Sequence, residues 1–299
     1  MMSSMSASRV HVIGASGRSG TALAQILGSR IVPVVRDPAK WTALGFGASP
    51  LVADLTDAAA MARALRGATH VVSCAHARHT AQIIAAAPEQ ARLVLLGSTR
   101  KFTRWPDAHG DGVLAGEAAF LASGRAGVML HPTMIYGAFG EDNVRRLLAL
   151  MRKLPILPLP AAGRSLVQPI HQGDVTRAIL AALDYSWDGP NTIVICGPEP
   201  ISYLDFIRAV AAASGLSPPR TLTVQAGPLI ALAALTRFVP GLPTIHAAEI
   251  RRLLEDKAFD TEPMRSVLGV TPVSLSVGLA LTFGSNHGNP APQTYRGTP

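Results

Sequence analysis

A chain of 299 residues is long enough to bury a complete α/β core with a smaller lobe attached. Its formal net charge of +8 comes from basic residues scattered along the chain, which argues against a nucleic-acid partner and leaves a bound phosphate group or a modest basic patch as the simpler account. The two cysteines, Cys74 and Cys196, lie in separate apolar segments outside any metal-ligand spacing; they are expected as buried, reduced core residues, with no metal site and no disulfide framework.

The leader "MMSSMSAS" has no apolar signal-like core, and no apolar run approaches the roughly 18 residues needed to span a bilayer, so the cytoplasm is the expected compartment. Six short apolar runs follow: "RVHVIG", "IVPVVR", "PLVAD", "THVVSCA", "RLVLLGS" and "GVMLHP". They alternate with Ala-rich helical segments, the pattern of repeated βα units and of a parallel sheet covered on both faces. Pro33, inside the second run, removes a ladder donor and is expected only at that strand's start.

Beyond Tyr136 a basic amphipathic helix carries Arg145, Arg146, Arg152 and Lys153, either as a solvated face or as a contact for an anionic protein partner or membrane surface. It leads through a Pro/Gly-rich connection to "DVTRAILAALD", a strand "NTIVICG", and "SYLDFIRAVAAASG", where Ser202 and Asp205 have capping-box spacing. The apolar stretch 228–243 contains Arg237 and three prolines, so it is expected as a lobe-packing or interfacial helix and not as a span. The expected fold is α/β: a doubly wound parallel Rossmann sheet over residues 1–140, a smaller mixed α/β lobe over 141–283 interleaved with the core sheet, and a flexible tail over 284–299.

The first strand runs into "GASGRSG", with Gly14, Gly17 and Gly20 at Gly-x-x-Gly-x-x-Gly spacing directly before an apolar helix. The first glycine permits the tight turn, the second lets backbone N–H groups approach a diphosphate, and the third lets the helix sit close to the strand. Ser16, Arg18 and Ser19 belong to the same turn. About twenty residues on, where an NAD-preferring site carries an acid, stands Arg36, which suits a 2′-phosphate. Arg18 is expected to add a second positive charge on that side, while Asp37 leaves the ribose as an alternative. NADP is therefore the expected cofactor, with NAD as the alternative. Asp54 and Leu55, after the third strand, are candidates for the adenine amine and the adenine face; the alternative is an exposed Asp54 beside a helix N-cap at Asp57.

The ordered set "GASGRSG", "VRDP", "ADLTD", "LLGST", "HPTMIYG", "QPIHQGDV", "GPEPISYLDF" and "LGVTP" resembles the short-chain dehydrogenase/reductase superfamily, specifically its extended and atypical branches, and within them the proteins related to the NAD(P)-binding accessory subunit of complex I. The resemblance implies a Ser/Thr after the fifth strand, here Thr99 with Ser98 beside it, and contacts to the cofactor from Pro132. It also implies a Tyr-x-x-x-Lys pair, the Tyr as proton carrier and the Lys lowering its pKa. Counting back from Glu117 puts His109 and Val113 at those two positions, so the usual relay is missing. The composition of "DAHGDG" favours an exposed loop for His109. Tyr136 either lines the nicotinamide pocket or packs, His131 replaces an Arg, and Arg100 and Lys101 are cations placed to substitute for the absent Lys.

Two functions of different kinds remain. One is an atypical oxidoreductase moving hydride between NADP(H) and a small organic substrate, with Thr99 and Tyr136 as candidate catalytic residues. The other is a non-catalytic NADP(H)-binding structural or redox-reporting protein. A sugar-nucleotide epimerase or dehydratase ranks third, because it needs the missing relay and an Arg-Asp pair absent from "QPIH".

Overall fold

The computed structural model describes residues 8–138, 142–233 and 245–284. The first half is a regular alternation: β1 (Val10–Ile13), α1 (Arg18–Leu27), β2 (Ile31–Val35), α2 (Pro38–Thr42), β3 (Leu51–Val52), α3 (Ala58–Ala64), β4 (His70–Ser73), α4 (Thr80–Ala86), β5 (Arg92–Leu96), α5 (Ala108–Ala122) and β6 (Gly127–Pro132). Every residue of β1, β2, β4 and β6 is buried. Such unbroken apolar strands require cover on both faces, and that is their setting. One face packs on α1 and on a later helix, Gln172–Asp184, through Leu23, Leu27, Val175 and Ile179; the other packs on α3, α4 and α5 through Met61, Ile83 and Phe120.

The rest of the chain contains β7 (Ile135–Tyr136), α6 (Asn143–Lys153), β8 (Ile156–Leu159), β9 (Leu166–Val167), β10 (Ile170–His171), α7 (Gln172–Asp184), β11 (Pro190–Ile195), β12 (Ile201–Ser202) and α8 (Tyr203–Ala213). It continues with β13 (Arg220–Thr223), α9 (Ala226–Ala233), α10 (Ala247–Arg252), α11 (Glu262–Ser266) and α12 (Leu275–Gly284). The central sheet has seven parallel strands in the order β3-β2-β1-β4-β5-β6-β11. Thus the "NTIVICG" strand leaves the lobe and completes the central sheet beside β6. The lobe itself is three two-stranded pairings around a separate core of Tyr136, Leu147, Phe206, Val210 and Leu279.

Pro33 departs from the expectation: it sits in mid-strand, opposite Val12. Val35 accepts from the Ala53 amide on the β3 side, and alternation along the strand turns the Pro33 nitrogen to the same side. The two-residue β3 reaches back only to Val34, so no ladder donor is needed at Pro33. The stretch from 228 behaves as a packing helix where it is described, with Leu229 and Ala233 buried against Ile250; its residues from 234 on, and the tail from 285, lie outside the described residues. Among the described residues no helix is long and apolar enough to cross a membrane.

Candidate functional site

The strand order reverses between β1 and β4, and the loops leaving their C-terminal ends flank the crevice where doubly wound sheets bind ligands. Gly14 turns the chain there at φ +74°, a conformation open to glycine. At Gly20 an added Cβ would lie 2.3 Å from the Gly14 carbonyl oxygen and 2.7 Å from Ala15 Cα, so only glycine lets α1 start this close to the turn. The helix begins with Gly17 as N-cap, no side chain caps it, and its first turn carries no acid. Its leading amides therefore face outward without an internal acceptor, which is the arrangement a diphosphate requires.

Arg36 is exposed at the end of β2 and pairs with no carboxylate among the described residues. Asp37 has turned away to cap α2, accepting from the Lys40 amide at 3.1 Å. Asp54 accepts from the Thr56 amide at 2.8 Å and the Thr56 hydroxyl at 2.6 Å, and these hydrogen bonds hold its carboxyl below the usual range. Leu55 beside it packs on the core face, and Asp57 caps α3. The Arg18 guanidinium, exposed at the start of α1, pairs with Asp142 ahead of α6. The Ser19 hydroxyl lies 3.3 Å from Gln172 Oε1.

Under the ends of β5 and β6 a cavity of about 660 Å³ separates the sheet from the lobe. Ser98, Thr99, Arg100 and His109 line it, as do Met134, Leu147, Leu150 and Phe206. The loop after β5 is held from behind. His131, fully buried, accepts from the Ser98 amide through Nδ1 at 3.2 Å, so the proton of a neutral imidazole resides on Nε2, 3.4 Å from Glu117 Oε2. Lys101 donates to the same carboxylate at 2.7 and 2.5 Å. Burial first, and the Lys101 ammonium next, push the His131 pKa down. Thr99 donates to the Pro132 carbonyl at 3.2 Å and keeps its oxygen lone pairs for the cavity.

Comparison with known proteins was made on this geometry. Residues 14–122 match the NAD(P)H-binding family model. No curated protein sequence matches. Among solved structures, gox2253 superposes with TM-score 0.72 at 18% identity, covering 94% of this chain and 99% of that one. The NADPH-dependent quinone oxidoreductase QOR2 of Escherichia coli, complexed with NADPH, gives 0.71 at 18% identity over 91% and 98%. The UDP-glucuronic acid 4-epimerase of Bacillus cereus, in complex with UDP-glucuronic acid and NAD, gives 0.70 at 18% identity over 92% and 98%. The chain shares with these structures a Rossmann-like α/β fold built on a seven-stranded parallel sheet. Its cofactor class is NAD(P).

Several positions expected from the sequence resemblance lie elsewhere. His109 is not in an exposed loop: it lies in the first turn of α5, partly buried, its ring 4.3 Å from His76 and lining the cavity. Val113 is buried in the core, so no cation stands at the Lys position. Lys101 is tied down by Glu117, one helical turn beyond Val113, and does not line the cavity; Arg100 does. Tyr136 packs and does not line the cavity: it is buried in the lobe core against His171 and α12, where a Cβ at Gly278 would come within 2.0 Å of its hydroxyl, and burial pushes its pKa up. Cys196 is buried and Cys74 half-buried, both unpaired, with thiol pKa values pushed up to about 12 by burial. Among the described residues no cluster has the makings of a metal site.

Proposed function

We propose that the chain is an NADP(H)-dependent oxidoreductase acting on a small carbonyl compound in the cavity beneath β5 and β6. The observation that carries this reading is the cavity itself, which opens at Ser98, Thr99 and His109, where catalysis in the superfamily takes place, and is not filled by apolar side chains. Gly14, Ser16, Gly17 and Gly20 would hold the diphosphate, Arg36 the 2′-phosphate, Asp54 and Leu55 the adenine, and Ser98 and Pro132 the nicotinamide side. Bound there, the dinucleotide supplies or accepts hydride.

The chain's own residues do the rest. Thr99 turns its hydroxyl from the Pro132 carbonyl to the substrate oxygen and polarises it. His109 or solvent delivers the proton in place of the absent Tyr. The His76 ring beside His109 is held neutral at neutral pH, its pKa pushed down to about 4 by burial and then by His109; its Nδ1 accepts from the Arg78 amide at 3.1 Å, so its proton resides on Nε2 and it adds no competing charge. A purely structural role for the dinucleotide is the second reading, supported by Tyr136 and Val113 being packed in cores. Titration with NADPH and NADH, followed by scanning aldehydes, ketones and quinones for NADPH oxidation, tests both. Binding without oxidation of any carbonyl removes the oxidoreductase reading, and no binding removes both.

A further inference from the structure

The cavity is lined unevenly by charge and by apolar surface. The carboxylates on its walls are committed: Glu249 takes Arg146 through both oxygens, at 2.8 and 2.9 Å. Glu255 accepts from the Thr103 hydroxyl and the Arg104 amide, and Asp256 from the Leu166 amide. At the end next to Thr99 and His109 the balance differs. There Arg100 and Arg252, both on the cavity wall, converge on the single carboxylate of Asp107, at 2.5 and 3.4 Å through Oδ2. The other oxygen of Asp107 is taken by the His109 and Gly110 amides. The two guanidiniums thus make their salt bridges to one carboxylate, with Glu249 and Glu255 further off acting on Arg252, and each keeps N–H donors in a partly buried position where charge is poorly screened. Met134, Leu147, Leu150 and Phe206 give the cavity an apolar portion, beside Asn143, Arg146 and Tyr203 from α6 and α8.

From this pairing we infer that the substrate is an α-keto acid, or its α-hydroxy acid, with an apolar side chain. The carboxylate goes to Arg100 and Arg252, the carbonyl oxygen to Thr99 and His109, and the apolar body to Met134, Leu147, Leu150 and Phe206. An arginine pair recognises a carboxylate through planar, charge-assisted hydrogen bonds, which ties the acid to the position beside the reacting carbon. The step balances: hydride adds from the reduced nicotinamide to the carbonyl carbon, the oxygen takes a proton from protonated His109, and the α-hydroxy acid and oxidised dinucleotide leave. Solvent returns the proton to His109.

This rests on the oxidoreductase reading, and the experiment separates the two. Phenylpyruvate and the neutral phenylacetone are compared on the NADPH-loaded protein, binding by calorimetry and turnover by NADPH absorbance. Phenylpyruvate is expected to bind about tenfold or more tightly than phenylacetone, as charge-assisted hydrogen bonds allow, and Arg252→Gln, shown to be folded by its melting curve, is expected to erase most of that margin. Equal or weaker binding of phenylpyruvate, or a margin untouched in a folded Arg252→Gln, overturns the assignment whether or not turnover occurs. Preferred binding without turnover leaves the acid site standing and removes the oxidoreductase reading instead.

Discussion

Replacing Gly20 by alanine should destabilise a helix that the same change would ordinarily strengthen. In an open helix Gly→Ala adds about 1 kcal/mol of stability. At Gly20 the new methyl would stand 2.3 Å from the Gly14 carbonyl oxygen, 2.7 Å from Ala15 Cα and 2.8 Å from the Ala15 carbonyl oxygen. All three are backbone atoms that no rotamer change can move. Ordinary carbon contacts begin near 3.5 Å, so α1 must back away by about 1 Å, loosening Leu23, Ala24 and Leu27 from the sheet. Overpacking of this kind costs up to about 3 kcal/mol, which leaves a net loss of about 2 kcal/mol, or about 3 °C in Tm for a chain of this length. Gly17→Ala is the control, since its methyl meets only the Gly14 carbonyl oxygen at 3.1 Å; it should melt close to wild type while binding NADPH about tenfold more weakly. Thermal melts with and without NADPH read both effects. A Gly20→Ala protein that melts at or above the wild-type temperature refutes the close-approach argument.

Three further outcomes are expected. Arg36→Ala should raise the Kd for NADPH about tenfold and leave that for NADH unchanged; parallel changes in both would sink the 2′-phosphate assignment. Lys101→Met strands Glu117 in a largely buried position and should cost about 3 kcal/mol in urea denaturation, with part recovered in Lys101→Met/Glu117→Leu; a loss below about 0.5 kcal/mol would mean that solvent already screens the pair. His76 and His131 both have folded pKa values below the ordinary 6.5, so the unfolded chain takes up their protons first as pH falls. Their contribution to stability is complete above about 6.5 and is lost toward the His76 value of about 4. Tm should fall through that window, and more shallowly in His131→Gln, whose amide oxygen can still accept from Ser98; an unchanged slope would place the acid sensitivity elsewhere.

The six strands of the first half were legible because each is a short, continuous apolar run between helical segments, and the glycine turn because its function is local. What escaped was of two kinds. Partnerships across the fold leave no local signal: Asp142 lies 124 residues from Arg18, and Arg252 lies 145 from Asp107. His109 was misread for a different reason. Glycines in "DAHGDG" lower helix propensity and suggest a loop, yet an added Cβ at Gly110 would be 3.0 Å from the Arg100 carbonyl and one at Gly116 would be 2.0 Å from the Ala77 carbonyl. Those glycines bring α5 down onto neighbouring backbone, and tertiary packing outweighs their propensity. Asp107 was the overlooked sign, since it caps that helix through the His109 and Gly110 amides.

The placement of Tyr136 bears on how the polypeptide matures during synthesis. The lobe core that encloses it draws on α6 and α8 and then on Leu279 of the last described helix. Asp174 in α7, likewise, receives the Val273 amide from just ahead of that helix. A ribosome-bound chain that has emerged only as far as β11 already possesses all seven central strands, but not the helix that covers the tyrosine. The core around the sheet is completed only when Met264, Leu268 and Val270 emerge, and the lobe core only with Leu279, so chains truncated at residue 274 should retain the sheet while exposing an aromatic surface that invites chaperones.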